Sequence, residues 1–313
     1  MDAISFAGQV AIVTGAGRGM GRAYALDLAR RGAAVVVNDI GGVGQQEGSW
    51  ADATVRAIQD NGGRAVASHH SVATVEGGQG ITDTAVREFG GVDIVINNAG
   101  FLRRGMFADT PLAHAREIIE VHLLGAFHVT QPTWKLMAAK GYGRVVFTSS
   151  AASFGMQANS NYVAAKAGLL GLTSALALEG AAHGIRVNSI LPYARTSITV
   201  DSPALGPEAQ HTVALQGELA SRMTLASVTA AALYLASPAC AITGQAISAL
   251  AGRYARAFLS LNEGWLSGDV EEIAPEDFGE HLQEVLDSRR NFEPGSLQGE
   301  LVQVIDRLRA QST

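Results

Sequence analysis

The 313 residues carry 23 Lys and Arg against 29 Asp and Glu, a net charge of −6, with 47% hydrophobic and 17% charged side chains. That balance suits a large buried core, and the lack of any basic run argues against nucleic acid or an anionic membrane as partner. One cysteine, Cys240, leaves no disulfide framework and no thiolate metal cluster.

The start, Met-Asp-Ala-Ile-Ser-Phe, has none of the basic and apolar regions of a signal peptide, so a cytoplasmic protein is expected. Val10 to Val13 is a short β-branched run, as in a strand buried on both faces. A glycine-rich turn, Thr14 to Gly21, follows, and from Arg22 apolar residues recur at helical spacing. Further strands are read at Ala33–Val37, Arg64–Ser68, Val92–Ile96, Arg144–Thr148 and Ile185–Leu191. Between them lie helical stretches over 49–61, 75–89, 111–139 and 160–183. Repeated βα units imply an α/β fold, a Rossmann-like doubly wound parallel sheet of about seven strands, because parallel strands need crossover connections. The uncharged stretch Met223–Gly252 is long enough to span a bilayer, but Pro238 and Gly244 interrupt it; it reads as a core helix and an inner strand. Residues 1–251 form the main domain. Residues 252–313 are read as an appended helical segment, with Leu297, Leu301, Val304, Ile305 and Leu308 on one face.

The unusual residues fall at the carboxyl ends of the strands, where ligands of such sheets bind. Gly15, Gly19 and Gly21 let a backbone approach a phosphate, and the helix start favours an anion. Asp39 ends the second strand, where a carboxylate accepts hydrogen bonds from a ribose diol. It would repel a 2′-phosphate by about 4 kcal/mol per unit charge at ~4 Å and an effective dielectric of ~20, which favours NAD over NADP. Arg18 pulls the other way. Tyr162 and Lys166, four apart at a helix start, share a face, so an ammonium lies where it can make a phenol more acidic. Ser149 and Ser150 both stand beside them. Adjacent His69 and His70 point to opposite faces of a strand and make no metal site.

With these residues in this order, the sequence resembles the short-chain dehydrogenase/reductase family over roughly residues 6 to 250. Thr14 to Gly21 matches its glycine motif, Asn97 to Gly100 its N-N-A-G, and Tyr162 and Lys166 its Tyr-x-x-x-Lys. A narrower likeness is to the (3R)-hydroxyacyl-CoA dehydrogenase units of type 2 peroxisomal multifunctional enzymes, which include a 17β-hydroxysteroid dehydrogenase. It rests on Gly21–Leu26, Val37–Gly42, Val121–Gly125 and Tyr142–Arg144. The resemblance implies hydride transfer between NAD(H) and a secondary alcohol or ketone, with Ser150, Tyr162 and Lys166 as catalytic residues. His122 stands where most members carry a relay asparagine. The spacing from Ser150 to Tyr162 is one residue short of the family's, so Ser149 stays a candidate. Cofactor contacts are expected from Gly15, Arg18, Gly19, Met20, Gly21, Asp39, Ile40, Ser71, Val72, Asn98, Ala99, Gly100, Val121, Tyr162, Lys166, Pro192, Ala194 and Thr196. Arg103, Arg104, Phe154, Met156, Gln157, Tyr193 and the loop 196–222 are expected to shape the substrate pocket; the two arginines are read as solvated charges at its edge, with contact to a CoA phosphate as the alternative. Acyl-CoA is the leading substrate and a steroid alcohol the second. An NADPH-dependent 3-oxoacyl reductase and a non-catalytic NAD-binding scaffold or sensor are the alternatives. The small-residue surface of the helix over 164–182 points to a homodimer or homotetramer.

Overall fold

The computed structural model describes residues 3–42, 48–194, 206–268 and 270–311. The β-branched runs become inner strands: Val10–Thr14 (β1), Ala34–Asn38 (β2), Ile94–Asn97 (β4) and Gly143–Thr148 (β5) are buried throughout. Arg64–Ser68 (β3), Ile185–Tyr193 (β6), Ala246–Leu250 (β7) and Arg253–Ala257 (β8) complete one sheet in the order β3-β2-β1-β4-β5-β6-β7-β8. Strands β1 to β7 pair in parallel. The order reverses between β1 and β4, the switch point at which doubly wound sheets open a crevice.

The helices are Gly19–Arg30 (α1), Trp50–Asp60 (α2), Val75–Phe89 (α3), Leu112–Ile119 (α4), Gly125–Lys140 (α5), Ser160–Gly180 (α6), Gly206–Leu219 (α7) and Leu225–Ala236 (α8). Local chemistry sets their ends. The Ser49 hydroxyl caps α2 by accepting from the N–H groups of Ala51 and Asp52, Thr74 caps α3, and Gly90 ends α3 at φ 85°. One apolar cluster, with Tyr24, Leu28 and Val228, fills one face of the sheet; Ile81, Val129 and Leu169 belong to the cluster on the other. By length and composition α6, prolonged by a 3-10 turn to His183, is apolar enough to cross a membrane. Its apolar character has another cause here, since Ala165, Leu169 and Leu172 are buried in the protein interior together with Lys166.

Several details differ from expectation. The helical stretch 111–139 is two α-helices joined by a π-helical turn, Glu120–Leu124. The sheet has eight strands, and the expected boundary at 251/252 falls inside a hairpin. Ala251 and Gly252 both have positive φ, 52° and 83°, the signature of the two-residue type I′ turn, so β8 returns antiparallel to β7. The compact unit extends to Arg256, and a second unit begins at Ala257. That second unit is not purely helical. Leu261–Asn262 (β9) pairs antiparallel with Asn291–Phe292 (β10), and Trp265 stacks on His281 at 4.3 Å. Its helices are Pro275–Glu280 (α9), Leu282–Val285 (α10) and Leu297–Gln311 (α11).

Candidate active site

A cleft of about 1060 Å³ opens at the switch point. Twelve of the expected cofactor contacts line it: Gly15, Arg18, Gly19, Met20, Asp39, Ile40, Ser71, Val72, Asn98, Ala99, Gly100 and Val121. Gly15 and Gly19 adopt φ of 61° and 57°, a conformation strained for a residue with a side chain. Gly21 is buried beneath the cleft instead of lining it. A Cβ there would sit 2.2 Å from the Gly15 carbonyl oxygen, so the glycine is needed for close packing of α1 on the turn. Gly21→Ala is therefore expected to cost about 1–3 kcal/mol and to weaken dinucleotide binding, read by thermal unfolding and fluorescence titration.

The N-N-A-G segment is tied to β1. Thr14 Oγ1 accepts from the N–H groups of Asn98 (2.9 Å) and Ala99 (3.0 Å), and Asn98 Nδ2 donates to the carbonyls of Thr14 and Gly15. Asp39 is equally fixed. One carboxylate oxygen accepts from Gly17 N–H at 2.9 Å and the other from Gly41 N–H at 2.8 Å. Gly17 and Trp50 escaped the sequence reading. Gly17 is the point where a Cβ would strike Asp39 Oδ2, at 2.8 Å, and its place in a glycine-rich turn is the signal that marks it. Trp50 also lines the cleft, and the Arg18 guanidinium lies 4.2 Å from its ring centroid; a single tryptophan opening a helix gives no such signal.

Past Met20, Asn98, Gly100 and Phe101 a second cavity of about 880 Å³ adjoins the cleft. Ser150, Tyr162, Lys166, His122, Met156, Pro192, Tyr193 and Ala194 line it, and so does Arg104, whereas Arg103, named with it as a pocket residue, does not. Of the other expected pocket residues, Phe154 is 70% exposed, Gln157 is exposed, and neither lines the cavity. Thr196 lies outside the described residues, as does part of the expected pocket loop.

Lys166 is buried, with Nζ 5.6 Å from the Tyr162 ring centroid and donating to the Thr148 carbonyl. Burial lowers its pKa to about 7. Burial also raises the Tyr162 phenol above its ordinary value, opposed by a hydrogen bond with Ser150. The expected acidification of the phenol by the ammonium is thus absent from the protein alone, because low dielectric disfavours each charge. The two serines separate. Ser149 Oγ donates to the Lys166 carbonyl at 2.8 Å, whereas Ser150 Oγ accepts from Ala152 N–H at 3.1 Å and reaches Tyr162.

His122 sits on the π-helical turn, edge-on to Tyr162 at 5.2 Å between ring centroids. A Cβ on Gly100 would lie 2.1 Å from its ring, so that glycine admits the imidazole. Its Nε2 is 2.8 Å from the Phe101 carbonyl and 3.0 Å from the Phe101 N–H, while the buried Nδ1 has no partner. Burial first, and then the nearby Lys166, holds His122 well below the usual imidazole range, hence neutral. Beside it a small space, about large enough for one water, is lined by His122, Lys166, Thr14 and Asn97 among others.

The family model described as short chain dehydrogenase matches residues 9–203. The chain belongs to the short-chain dehydrogenase family. A short-chain type dehydrogenase/reductase of Mycobacterium tuberculosis is 41% identical over 260 residues, 82% of this chain and 87% of that one. Peroxisomal multifunctional enzyme type 2 of Mus musculus is 45% identical over 201 residues, 63% of this chain but only 27% of that longer protein. A 7α-hydroxysteroid dehydrogenase solved with NADH superposes at a TM-score of 0.69 with 29% identity, over 79% of this chain and 95% of that one. This short-chain dehydrogenase is accordingly an oxidoreductase of a family that binds a nicotinamide dinucleotide, and the glycine cradle and anchored Asp39 described above fit that group.

Proposed function

We propose that the chain is an NAD-dependent dehydrogenase interconverting a secondary alcohol and a ketone of the hydroxyacyl class, with a (3R)-hydroxyacyl-CoA the first candidate and a steroid alcohol the second. One observation carries this reading: the cavity lined by Ser150, Tyr162 and Lys166 adjoins the cleft at whose far end Asp39 is held by two N–H groups. Residues of that cleft would hold NAD, which supplies a hydride acceptor or donor when bound. In alcohol oxidation Tyr162 Oη takes the hydroxyl proton and Ser150 holds the oxygen. Burial opposes tyrosinate and ammonium singly, so the phenol's proton is best passed on to the Lys166 amine, which leaves the two charges as a pair. The neutral His122 serves as a relay point, since its orphaned Nδ1 and the small space beside Lys166 suit one ordered water. His122→Ala is expected to lower kcat about tenfold or more while leaving KM for the dinucleotide unchanged in steady-state assays.

A stability test follows from Lys166. Its folded pKa of about 7 lies below that of an unfolded lysine, so between these values the unfolded chain binds more protons and this group makes stability rise with pH. The rise is expected from pH 7 upward in denaturant melts of the wild type and should vanish in Lys166→Met.

An NADPH-dependent 3-oxoacyl reductase is the competing reading, favoured by Arg18 at the same corner as Asp39, and relative binding of NADH and NADPH separates the two. A non-catalytic scaffold is opposed by the joint presence of Tyr162 and Lys166. Along α6 the exposed residues Ala164, Ala167, Gly171, Ser174 and Ala175 form a smooth stripe suited to pairing with a second copy. Light scattering should show a dimer or tetramer; a monomer would refute that pairing.

A further inference from the structure

Arg103 and Arg104 are neighbours in sequence and part company in the fold. Arg103 Nε lies 3.2 Å from the Glu117 carboxylate and its guanidinium 4.8 Å from the ring centroid of Phe101, a wall residue, but neither Arg103 nor Glu117 lines the cavity itself. Arg104 lines the cavity that holds Ser150, Tyr162 and Lys166. Two more polar side chains reach that cavity: Tyr193 from the end of β6 and Gln216 from α7, whose Nε2 donates to the Tyr193 hydroxyl. With its oxygen accepting, the Tyr193 hydroxyl turns its own proton outward as a donor. Arg104 and Tyr193 are near enough to bias each other's titration, and the guanidinium is partly desolvated. Much of the remaining wall is apolar, formed by Phe101, Leu102, Ala152, Met156 and Pro192.

A partly desolvated guanidinium beside a phenol donor favours a carboxylate, through charge-assisted hydrogen bonds that a neutral ester cannot match. The apolar wall favours a hydrocarbon body. We infer that Arg104 is a specificity-determining residue, and that the molecule bound in this cavity carries a free carboxylate as well as its reacting alcohol or ketone. The inference rests on the dehydrogenase reading but not on its first-named substrate: it sets hydroxy and oxo acids ahead of the CoA thioester.

The test uses the full chain saturated with NADH. Cyclohexanecarboxylate, butanoate, their methyl esters and butanoyl-CoA are titrated in, with NADH fluorescence as the readout. Each acid should bind at least roughly tenfold tighter than its ester, as expected for a charge-assisted pair. Arg104→Met should abolish that preference without changing NADH affinity, Arg104→Lys should keep part of it, and Tyr193→Phe should reduce it. Equal binding of acid and ester by the wild type overturns the inference with no variant needed. So does a preference that survives in Arg104→Met, or butanoyl-CoA binding tighter than butanoate and indifferent to residue 104. Failure of NADH itself to bind would strike the dehydrogenase reading instead, so the two failures are told apart.

Discussion

Tyr162→Phe is expected to lower kcat for alcohol oxidation by about 10²–10⁴-fold and to leave NADH affinity and thermal stability close to wild type. The substitution deletes one oxygen and keeps the ring. The edge-on contact with His122 at 5.2 Å between centroids and the place of Lys166 over the ring therefore survive, and so does the local packing. Only the proton acceptor is lost. Ser150 then faces a ring edge where it had a phenol, and the other polar groups of the cavity are engaged elsewhere: His122 Nε2 with the Phe101 backbone, Ser149 with the Lys166 carbonyl, and the Lys166 amine with the Thr148 carbonyl. Steady-state rates with any oxidised alcohol, measured beside an NADH titration, give the answer. Full turnover by the variant would end the proposed chemistry, whereas a joint loss of rate and NADH binding would point to collapse of the site.

Asp39→Ser should invert the choice of dinucleotide. In the wild type the two N–H groups from Gly17 and Gly41 prevent the carboxylate from rotating away, so an incoming 2′-phosphate meets a fixed negative charge. The Coulomb cost, about 4 kcal/mol per unit charge at ~4 Å and an effective dielectric of ~20, shrinks with solvent and salt but still favours NADH by at least roughly tenfold. Serine keeps a hydroxyl for the ribose and removes the charge. Arg18, held over Trp50 and lining the same cleft, is then the cation at hand for a 2′-phosphate. NADPH affinity is expected to rise above that for NADH, and to fall again in Asp39→Ser with Arg18→Ala. Fluorescence titrations at low and high salt would check it, because the effect must weaken as salt is added. An unchanged preference would remove Asp39 from the account of selectivity.

Part of this site was legible in the residues themselves. The glycine turn, Asp39 and the Tyr162–Lys166 pair are local patterns, readable because positions two to four apart share a face or a turn whatever else the chain does. The strand ends that bring them together followed from the βα alternation, and helix α3 was read with the bounds it has, Val75–Phe89. The eighth strand was not legible, because the hairpin at Ala251–Gly252 places a positive φ on an alanine, which no turn rule anticipates. The π-helical turn under His122 was hidden for another reason: it joins α4 to α5 without a break, and no residue type marks the extra position in a continuous helix.

By itself, then, the order of residues determined a doubly wound sheet, a dinucleotide cleft at its carboxyl edge and a tyrosine–lysine pair beside it, all consequences of short-range periodicity. The tertiary structure alone decided which of Ser149 and Ser150 faces the phenol, that Arg104 turns into the cavity while Arg103 turns out, and that Trp50 holds Arg18. It also decided the proton affinities, since Lys166 at about 7 and a raised Tyr162 are effects of burial. Those outcomes depend on which side chains from segments far apart in sequence share one desolvated space, and a contact of that kind leaves no periodic trace along the chain.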